Sequence, residues 1–149
     1  MPGVAINGSQ IKETIVPGCI TYEIWSWELD NGVRKWVFSE DGETGARITG
    51  SVVVPSSKMK IMGENVATVD NITNETWVAS PPVPENSRSI DIRNIKPGKS
   101  GAGHGKIISG SSKGKLGEKA IALIGSRVET CLGAITTIKD GNEKVKFES

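Results

Sequence analysis

The chain carries SSKMKI at Ser56–Ile61 and, after a short gap, VATV at Val66–Val69. Both segments return at an offset of 55 residues (from 56 to 111), as SSKGKL at Ser111–Leu116 and IALI at Ile121–Ile124. In each copy lysines alternate with apolar residues, as in a half-buried strand, and a glycine-containing turn leads into a second short apolar strand. The duplication therefore predicts a repeated pair of short strands.

A partial third copy lies near the C-terminus, where a turn at Asp140-Gly141 precedes an alternating strand. Because side chains alternate across a strand, Val145 and Phe147 share one face. We therefore place a repeat region at residues 51–149, with copies near 51–77 and 103–131 and a partial third at 133–149.

The first fifty residues carry a different signal. Tyr22–Leu29 and Val33–Phe38 are rich in aromatic and β-branched residues, and they flank Asn31-Gly32, a pair that readily takes the positive φ angles of a tight hairpin turn. Residues 1–50 are therefore predicted to form a tryptophan-rich β-hairpin region. Since glycine, proline, serine and asparagine interrupt almost every window long enough for three helical turns, the predicted fold class is all-β.

The stretch between the two repeat copies, residues 79–105, opens with Pro81-Pro82-Val83-Pro84 and closes with Gly101-Ala102-Gly103-His104-Gly105. Such a composition is typical of a surface connection. We expect an irregular loop here, with at most a short strand at Ile90–Ile95.

The composition is that of one globular domain, with 149 residues of which 36% are hydrophobic and 23% charged. A formal net charge of +1 gives no global attraction to nucleic acid or to an anionic membrane. The apolar runs are too short to span a bilayer, and the N-terminus lacks the basic and apolar regions of a secretory signal. We expect synthesis in the cytoplasm, no nucleic-acid partner and no stable membrane insertion.

No motif in the sequence predicts catalysis. Gly98-Lys99-Ser100 matches the end of a phosphate-binding loop, but Arg93 takes the place of its first glycine and no helical pattern follows. The one histidine, His104, has no nucleophile motif near it. Carboxylates such as Asp70 and Glu75 are interpreted as solvated turn residues. We therefore expect that the protein is not an enzyme.

The candidate metal ligands are His104, Cys131 and Cys19. Zinc takes imidazole nitrogen and thiolate sulfur, and His104 and Cys131 lie on either side of the second repeat copy. A fourth ligand is not evident, and the three residues lack the spacing of a paired-cysteine zinc signature. On the residues alone, a free buried cysteine and an exposed histidine stand as the alternative to a metal site.

The segment from Gly103 to Cys131 resembles a PAAR or PAAR-like protein. In that family a glycine-rich histidine segment leads into G-S-S-x-V-x-x-x-G-x-x-A-x-x-G-D and then a Thr-Cys pair, similar to Gly110-Ser111-Ser112, Ala122 and Thr130-Cys131 in this chain. The upstream copy, Pro55–Asp70, fits the same pattern.

The chain also departs from the family pattern. Thr76 takes the place of Cys131 in the first copy, and Gly125-Ser126 replaces the usual Gly-Asp. The other histidines of the family are missing, since His104 is the one histidine of the sequence.

The resemblance implies a repeat-built β cone that sits on a trimeric β-helical spike and sharpens the tip of a contractile injection machine, as in phage tails and type VI secretion systems. It implies the spike trimer and the target cell envelope as partners, one copy per spike, and assembly at the tip of an extracellular or delivered particle. Three similar strand pairs would present pseudo-threefold symmetry to the trimer. Family tips usually hold one metal with histidines and a cysteine, which here implies one zinc or iron ion at His104 and Cys131, with Cys19 as a third candidate.

A second hypothesis comes from another class of protein. Trp25, Trp27 and Trp36 are close together in the predicted hairpin and offer an aromatic platform. If they are exposed, the chain is a small β binding module for a cell-surface or carbohydrate ligand.

Overall fold

The structure is a computed structural model that describes residues 1–149, with the side chain of Asp30 excepted. The all-β prediction is confirmed, since the described residues contain no helix and 61% of them lie in strands. The strands are β1 (Gly3–Val4), β2 (Thr14–Asp30), β3 (Val33–Val53), β4 (Lys60–Ile61), β5 (Glu64–Asn65), β6 (Ile72–Ser80), β7 (Ile90–Lys96), β8 (Ser100–Ile107), β9 (Lys115–Leu116), β10 (Lys119–Ala120), β11 (Arg127–Glu129), β12 (Ile135–Thr137) and β13 (Asn142–Lys146). Seven form one sheet in the order β12-β11-β8-β6-β3-β2-β7, and the others pair as β1-β13, β4-β5 and β9-β10. Across the described residues, no helix has the length and apolar character needed to cross a membrane.

The chain divides into two compact units, each built from separate segments. The first unit consists of Met1–Thr14, Ile48–Thr76 and Ala102–Ser149, and the second of Ile15–Arg47 and Trp77–Gly101. These boundaries differ from a division at residue 50, because the first fourteen residues belong with the repeat copies and residues 77–101 belong with the tryptophan-rich strands.

The two repeat copies in the first unit adopt the same local structure. Lys60 lies opposite Asn65 in the β4-β5 pair, and Lys115 lies opposite Ala120 in the β9-β10 pair. The turns begin alike, since Met62 and Gly117 both have positive φ, at 52° and 67°. They differ at the next residue, because Gly63 also has positive φ, at 83°, and Glu118 does not. The repeated sequence therefore specifies a repeated hairpin.

A third antiparallel pair resembles the two hairpins, although its strands β1 and β13 are not consecutive in the sequence. We refer to it below as the third hairpin. β13 pairs antiparallel with β1, with Lys146 opposite Gly3, so that β13 takes the role of β4 and β9. The turn that follows β1 also matches the other copies: Gly8, Asp70 and Gly125 have φ angles of 90°, 77° and 95°. The sequence pattern had located only the C-terminal half of this copy.

Three alanines join the copies through a closed cycle of backbone hydrogen bonds. The N–H of Ala67 donates to the carbonyl of Ala5, that of Ala122 donates to Ala67, and that of Ala5 donates to Ala122, each at 2.9 Å. All three residues are fully buried. Each copy then closes a turn with a reciprocal pair of bonds, at Ser9 and Ile6, Asn71 and Thr68, and Ser126 and Leu123. The first unit thus has a pseudo-threefold arrangement of backbone hydrogen bonds.

The larger strands of the first unit close into a ring. The N–H of Lys12 donates to the carbonyl of Thr137, the last residue of β12, at 2.8 Å, and the N–H of Ile11 donates to the carbonyl of Gly50 on β3 at 3.1 Å. Residues 11–12 therefore link β12 to β3 and leave neither without a partner there. Apolar side chains fill the first unit, chiefly Val4, Val52, Val66, Ile107, Ile121, Leu123, Val128 and Ile138, all at most 2% exposed.

The second unit contains the aromatic strands. β2 and β3 are neighbours joined at Asn31-Gly32, whose φ angles of 52° and 80° are those that a type I′ turn requires at both central residues. β7 lies on the other side of β2, with Ile92 opposite Ile24. The free edge of β7 is partly covered by its own preceding loop, because the N–H of Ile92 donates to Oδ1 of Asn86 at 2.7 Å.

The prediction of an irregular connection over residues 79–105 is wrong at its glycine-rich end. The strand β8 runs from Ser100 to Ile107, so His104 lies on a strand and not in a loop. Glycines at alternate positions of β8 allow neighbouring side chains to approach its backbone closely, as the contacts of Gly103 and Gly105 show below.

Candidate functional site

The first candidate site is the outer face of the three hairpins in the first unit. Side chains alternate along the first strand of each hairpin, and the inward set packs against the core formed by Val4, Ile61, Val66, Ile121 and Leu123. Gly114 fits this pattern because Phe147 fills its space: a Cβ at Gly114 would lie 2.7 Å from the Phe147 ring. The outward set is exposed and consists of Lys58, Lys60, Lys113, Lys115, Lys144 and Lys146.

An ion-pair cluster lies at the turn that follows the first hairpin. Lys119 Nζ is 2.5 Å from Oδ2 of Asp70, and Lys106 Nζ is 3.9 Å from Oδ1. The hydrogen bond and charge of Lys119 lower the pKa of Asp70 below its ordinary value. Because all three side chains are about half exposed, this cluster contributes little to stability.

The structure places the predicted metal ligands on different parts of the fold. Cys131 lies beside Gly103, where a Cβ would meet the cysteine Sγ at 3.0 Å. His104 is the next residue along β8, so its exposed side chain projects to the opposite face, with Nδ1 3.3 Å from the carbonyl of Thr73. Cys19 is a half-buried residue of β2 in the second unit.

This placement does not fit a metal shell. Among the described residues, no group of three or more histidine, cysteine, aspartate or glutamate side chains is arranged to hold a metal ion. A tetrahedral zinc site needs four ligands directed at one point. The zinc or iron ion implied by the resemblance stays a prediction, and these residues supply no geometry for it.

The structure instead joins Cys131 to a buried carboxylate. Glu75 lies on β6 and is 2% exposed. The backbone N–H of Cys131 donates to Glu75 Oε1 at 2.7 Å, and the hydroxyl of Thr73 donates to Oε2 at 2.5 Å. Gly105 completes the cluster, since its N–H donates to Thr73 Oγ1 at 3.0 Å and a Cβ on Gly105 would collide with Glu75 Oε2.

Glu75 also controls the neighbouring thiol. Burial raises the pKa of Cys131 to about 11, and the hydrogen bond to Glu75 and its negative charge act in the same direction. A thiolate is the form of cysteine that attacks electrophiles and binds metals, so a thiol held in the neutral state is inert at neutral pH. The cluster is therefore better suited to a structural role, because its hydrogen bonds join β6 to β8 and to the segment after β11.

Glu75 was interpreted as a solvated turn residue, and that interpretation is wrong. β6 alternates exposed and buried residues throughout, with Thr73, Glu75, Trp77 and Ala79 on the buried face. The residue types of Ile72–Ser80 do not alternate in the same way, because Ile72 and Val78 lie on the exposed face and Thr73 on the buried one, so the sequence carried no clear signal for the burial of Glu75. Charged residues are rarely buried without partners, so burial of Glu75 also implied its hydrogen bonds.

The second candidate site is the aromatic face of the second unit. Trp27 and Trp36 contact each other at a ring-centroid distance of 5.3 Å, and Trp25 meets Phe38 edge-on at 5.9 Å. The guanidinium of Arg93 lies 4.3 Å from the centroid of Trp25. Trp27 is 37% exposed and Phe38 46%, so this face is only partly covered.

Comparison with known proteins gives no relative. The chain matches no protein-family model, no curated protein and no solved structure at a significant level.

Proposed function

We propose that the chain is a tip protein that caps the trimeric spike of a contractile injection machine. The observation that supports this is the cycle of hydrogen bonds through Ala5, Ala67 and Ala122, which makes three hairpins of one chain nearly equivalent. A single chain with three similar faces can bind all three subunits of a homotrimer at once, whereas an ordinary asymmetric monomer binds one. The resemblance of residues 103–131 to PAAR proteins points the same way.

The role of such a tip is mechanical and requires no catalytic step. The first unit suits it, because its larger strands form a ring that residues 11–12 close and its three copies are bonded in a cycle. Removing any one copy from the cycle breaks two of the three alanine hydrogen bonds. Load on one hairpin is therefore shared by the other two.

The test is the stoichiometry of a complex with the spike trimer of the same particle. We expect native mass spectrometry to show one copy of this chain per three spike chains, even when this chain is in excess. A complex with three copies per trimer, or no complex, contradicts the proposal.

A second candidate is a binding module that uses the aromatic face of the second unit to bind a carbohydrate. The partial exposure of Trp27 and Phe38 favours it, since aromatic rings stack on apolar faces of ligands. Adding envelope polysaccharides to the protein while recording its tryptophan fluorescence tests this binding. This candidate is supported if a polysaccharide quenches the tryptophan fluorescence of the wild type and of the exposed-site control Val78→Ala but not that of Trp27→Ala.

A further inference from the structure

The six outward lysines of the first unit form a repeated array. Each hairpin contributes two, separated by one inward residue: Lys58 and Lys60, Lys113 and Lys115, and Lys144 and Lys146. Lys60, Lys115, Lys144 and Lys146 lie on the strands β4, β9 and β13, whereas Lys58 and Lys113 lie in the bends just before β4 and β9. The pairing of β13 with β1 puts Lys146 in register with Lys60 and Lys115, since the three occupy the same position opposite Gly3, Asn65 and Ala120. The register of β1 with β13 shifts after Gly3, so Lys144 lies at an irregularity of the third pair.

The lysines repeat where neighbouring exposed positions do not. The residue that directly follows the turn is Glu64 in the first hairpin and Lys119 in the second, and its counterpart in the third is Pro2. The inward positions also differ in size, from Gly114 to Val145 and Met59. A hairpin needs apolar inward residues to fold, but its fold does not require a lysine at the same two outward positions in all three copies. The array is therefore better explained by a partner than by folding.

Most of the array is available to a partner. All six side chains are exposed. Among the described residues, Lys113 is the one member in an ion pair, at 2.9 Å from Glu148, and both of those side chains are more than half exposed. An ion pair so open to water is weak and is easily exchanged for another carboxylate.

We infer that this lysine array binds a ring of acidic side chains presented in threefold-symmetric form by the trimeric partner. The inference rests on the proposed function and names the chemistry of its interface. Three identical subunits present the same carboxylates three times, which matches three lysine pairs on three hairpins. A nucleic-acid duplex or a planar anionic bilayer offers one extended surface, and it matches one hairpin better than three. Complementary charge of this kind sets the register and the association rate of a complex.

The experiment measures the affinity of the purified full chain for the spike trimer of the same particle. The test variant is Lys60→Glu, Lys115→Glu, Lys146→Glu, and a second version with glutamine at the same positions removes the charge without reversing it. The matched control is Lys12→Glu, Lys99→Glu, Lys139→Glu, which makes the same change in net charge outside the array. Thermal unfolding of each variant identifies any that do not fold.

We expect the glutamate variant to bind at least about tenfold more weakly, from the loss of three exposed charge pairs. The glutamine variant should fall between it and the wild type, and the control should bind as the wild type does. Rising salt should weaken the wild type more than the glutamine variant. If all folded variants bind alike, the lysine array is not the interface, although the proposed function stands. If the wild-type chain does not bind the trimer at all, both the array and the proposed function are refuted.

Discussion

Replacing Gly105 with alanine should strongly destabilise the first unit. The new Cβ would collide with Glu75 Oε2 and would lie 2.5 Å from the carbonyl of Glu129 and 2.7 Å from Thr73 Oγ1. One of these neighbours is backbone on the adjacent strand β11, where Glu129 pairs with Lys106, so it cannot rotate away. Because the Cβ is too close to both neighbours, β8 and β11 must separate and the Glu75 carboxylate must also leave its hydrogen bonds.

The expected loss in the free energy of unfolding follows from these two changes. Overpacking a well-filled core costs about 1–3 kcal/mol, and disrupting a hydrogen bond to a charged group costs about 1.5–3 kcal/mol. Together they predict a loss of about 2.5–6 kcal/mol in the free energy of unfolding, a large part of the 5–15 kcal/mol typical of a domain. We expect a fall in Tm of roughly 10 °C or more.

Urea and thermal unfolding followed by circular dichroism measure this loss. The control is Gly98→Ala, because the nearest atom to a Cβ there is the Ser100 carbonyl oxygen at 3.4 Å. Adding Glu75→Ala to Gly105→Ala should cost less than the sum of the single changes, since the small side chain removes the collision. A Gly105→Ala protein within about 0.5 kcal/mol of the wild type would refute the packing of Glu75 against β8.

Three further predictions concern the turn, the thiol and the metal. Met62→Asn should raise the free energy of unfolding by about 0.5–1 kcal/mol in urea unfolding, because asparagine takes the φ of 52° more readily. The pKa of Cys131 is raised to about 11 in the folded protein, so its contribution to stability is present below pH 9 and is lost as the pH rises toward 11. The free energy of unfolding of the wild type should therefore fall between pH 9 and pH 11. The fall should be smaller in Cys131→Ala. Because His104 and Cys131 lie on opposite faces of β8, the variant His104→Ala, Cys131→Ala should hold as much zinc or iron as the wild type in mass spectrometry of the metal content. Loss of one metal ion per chain in that variant would contradict the placement of these side chains.

The strand content of this fold could be read from local patterns. Asn31-Gly32 between aromatic segments marked a turn whose φ angles are both positive, and the offset of 55 residues pointed to two hairpins with the same strand pairing. Such features depend on neighbours in the sequence, where propensity and alternation are informative.

The features missed by sequence reasoning depend on contacts between distant residues. The third hairpin joins Gly3 to Lys146, and no local pattern reports a pairing between the two ends of a chain. A comparison of Val4–Ser9 with Ile121–Ser126 would have shown a shared alanine and a shared Gly-Ser in the same spacing. The loop predicted around His104 was wrong because glycines are common in loops, whereas on β8 they make room for Glu75 and Cys131.

The pairing of β1 with β13 also affects how the chain folds during its synthesis. Ala5 leaves the ribosome early, but the carbonyl to which its N–H donates belongs to Ala122, and the strand that pairs with Gly3 is β13, at Asn142–Lys146. The first unit therefore cannot complete its cycle of hydrogen bonds until Ala122 has been translated, and folds dominated by such distant contacts form slowly. Until then the nascent chain exposes unpaired strand edges, and the cell must keep it from aggregating during that interval.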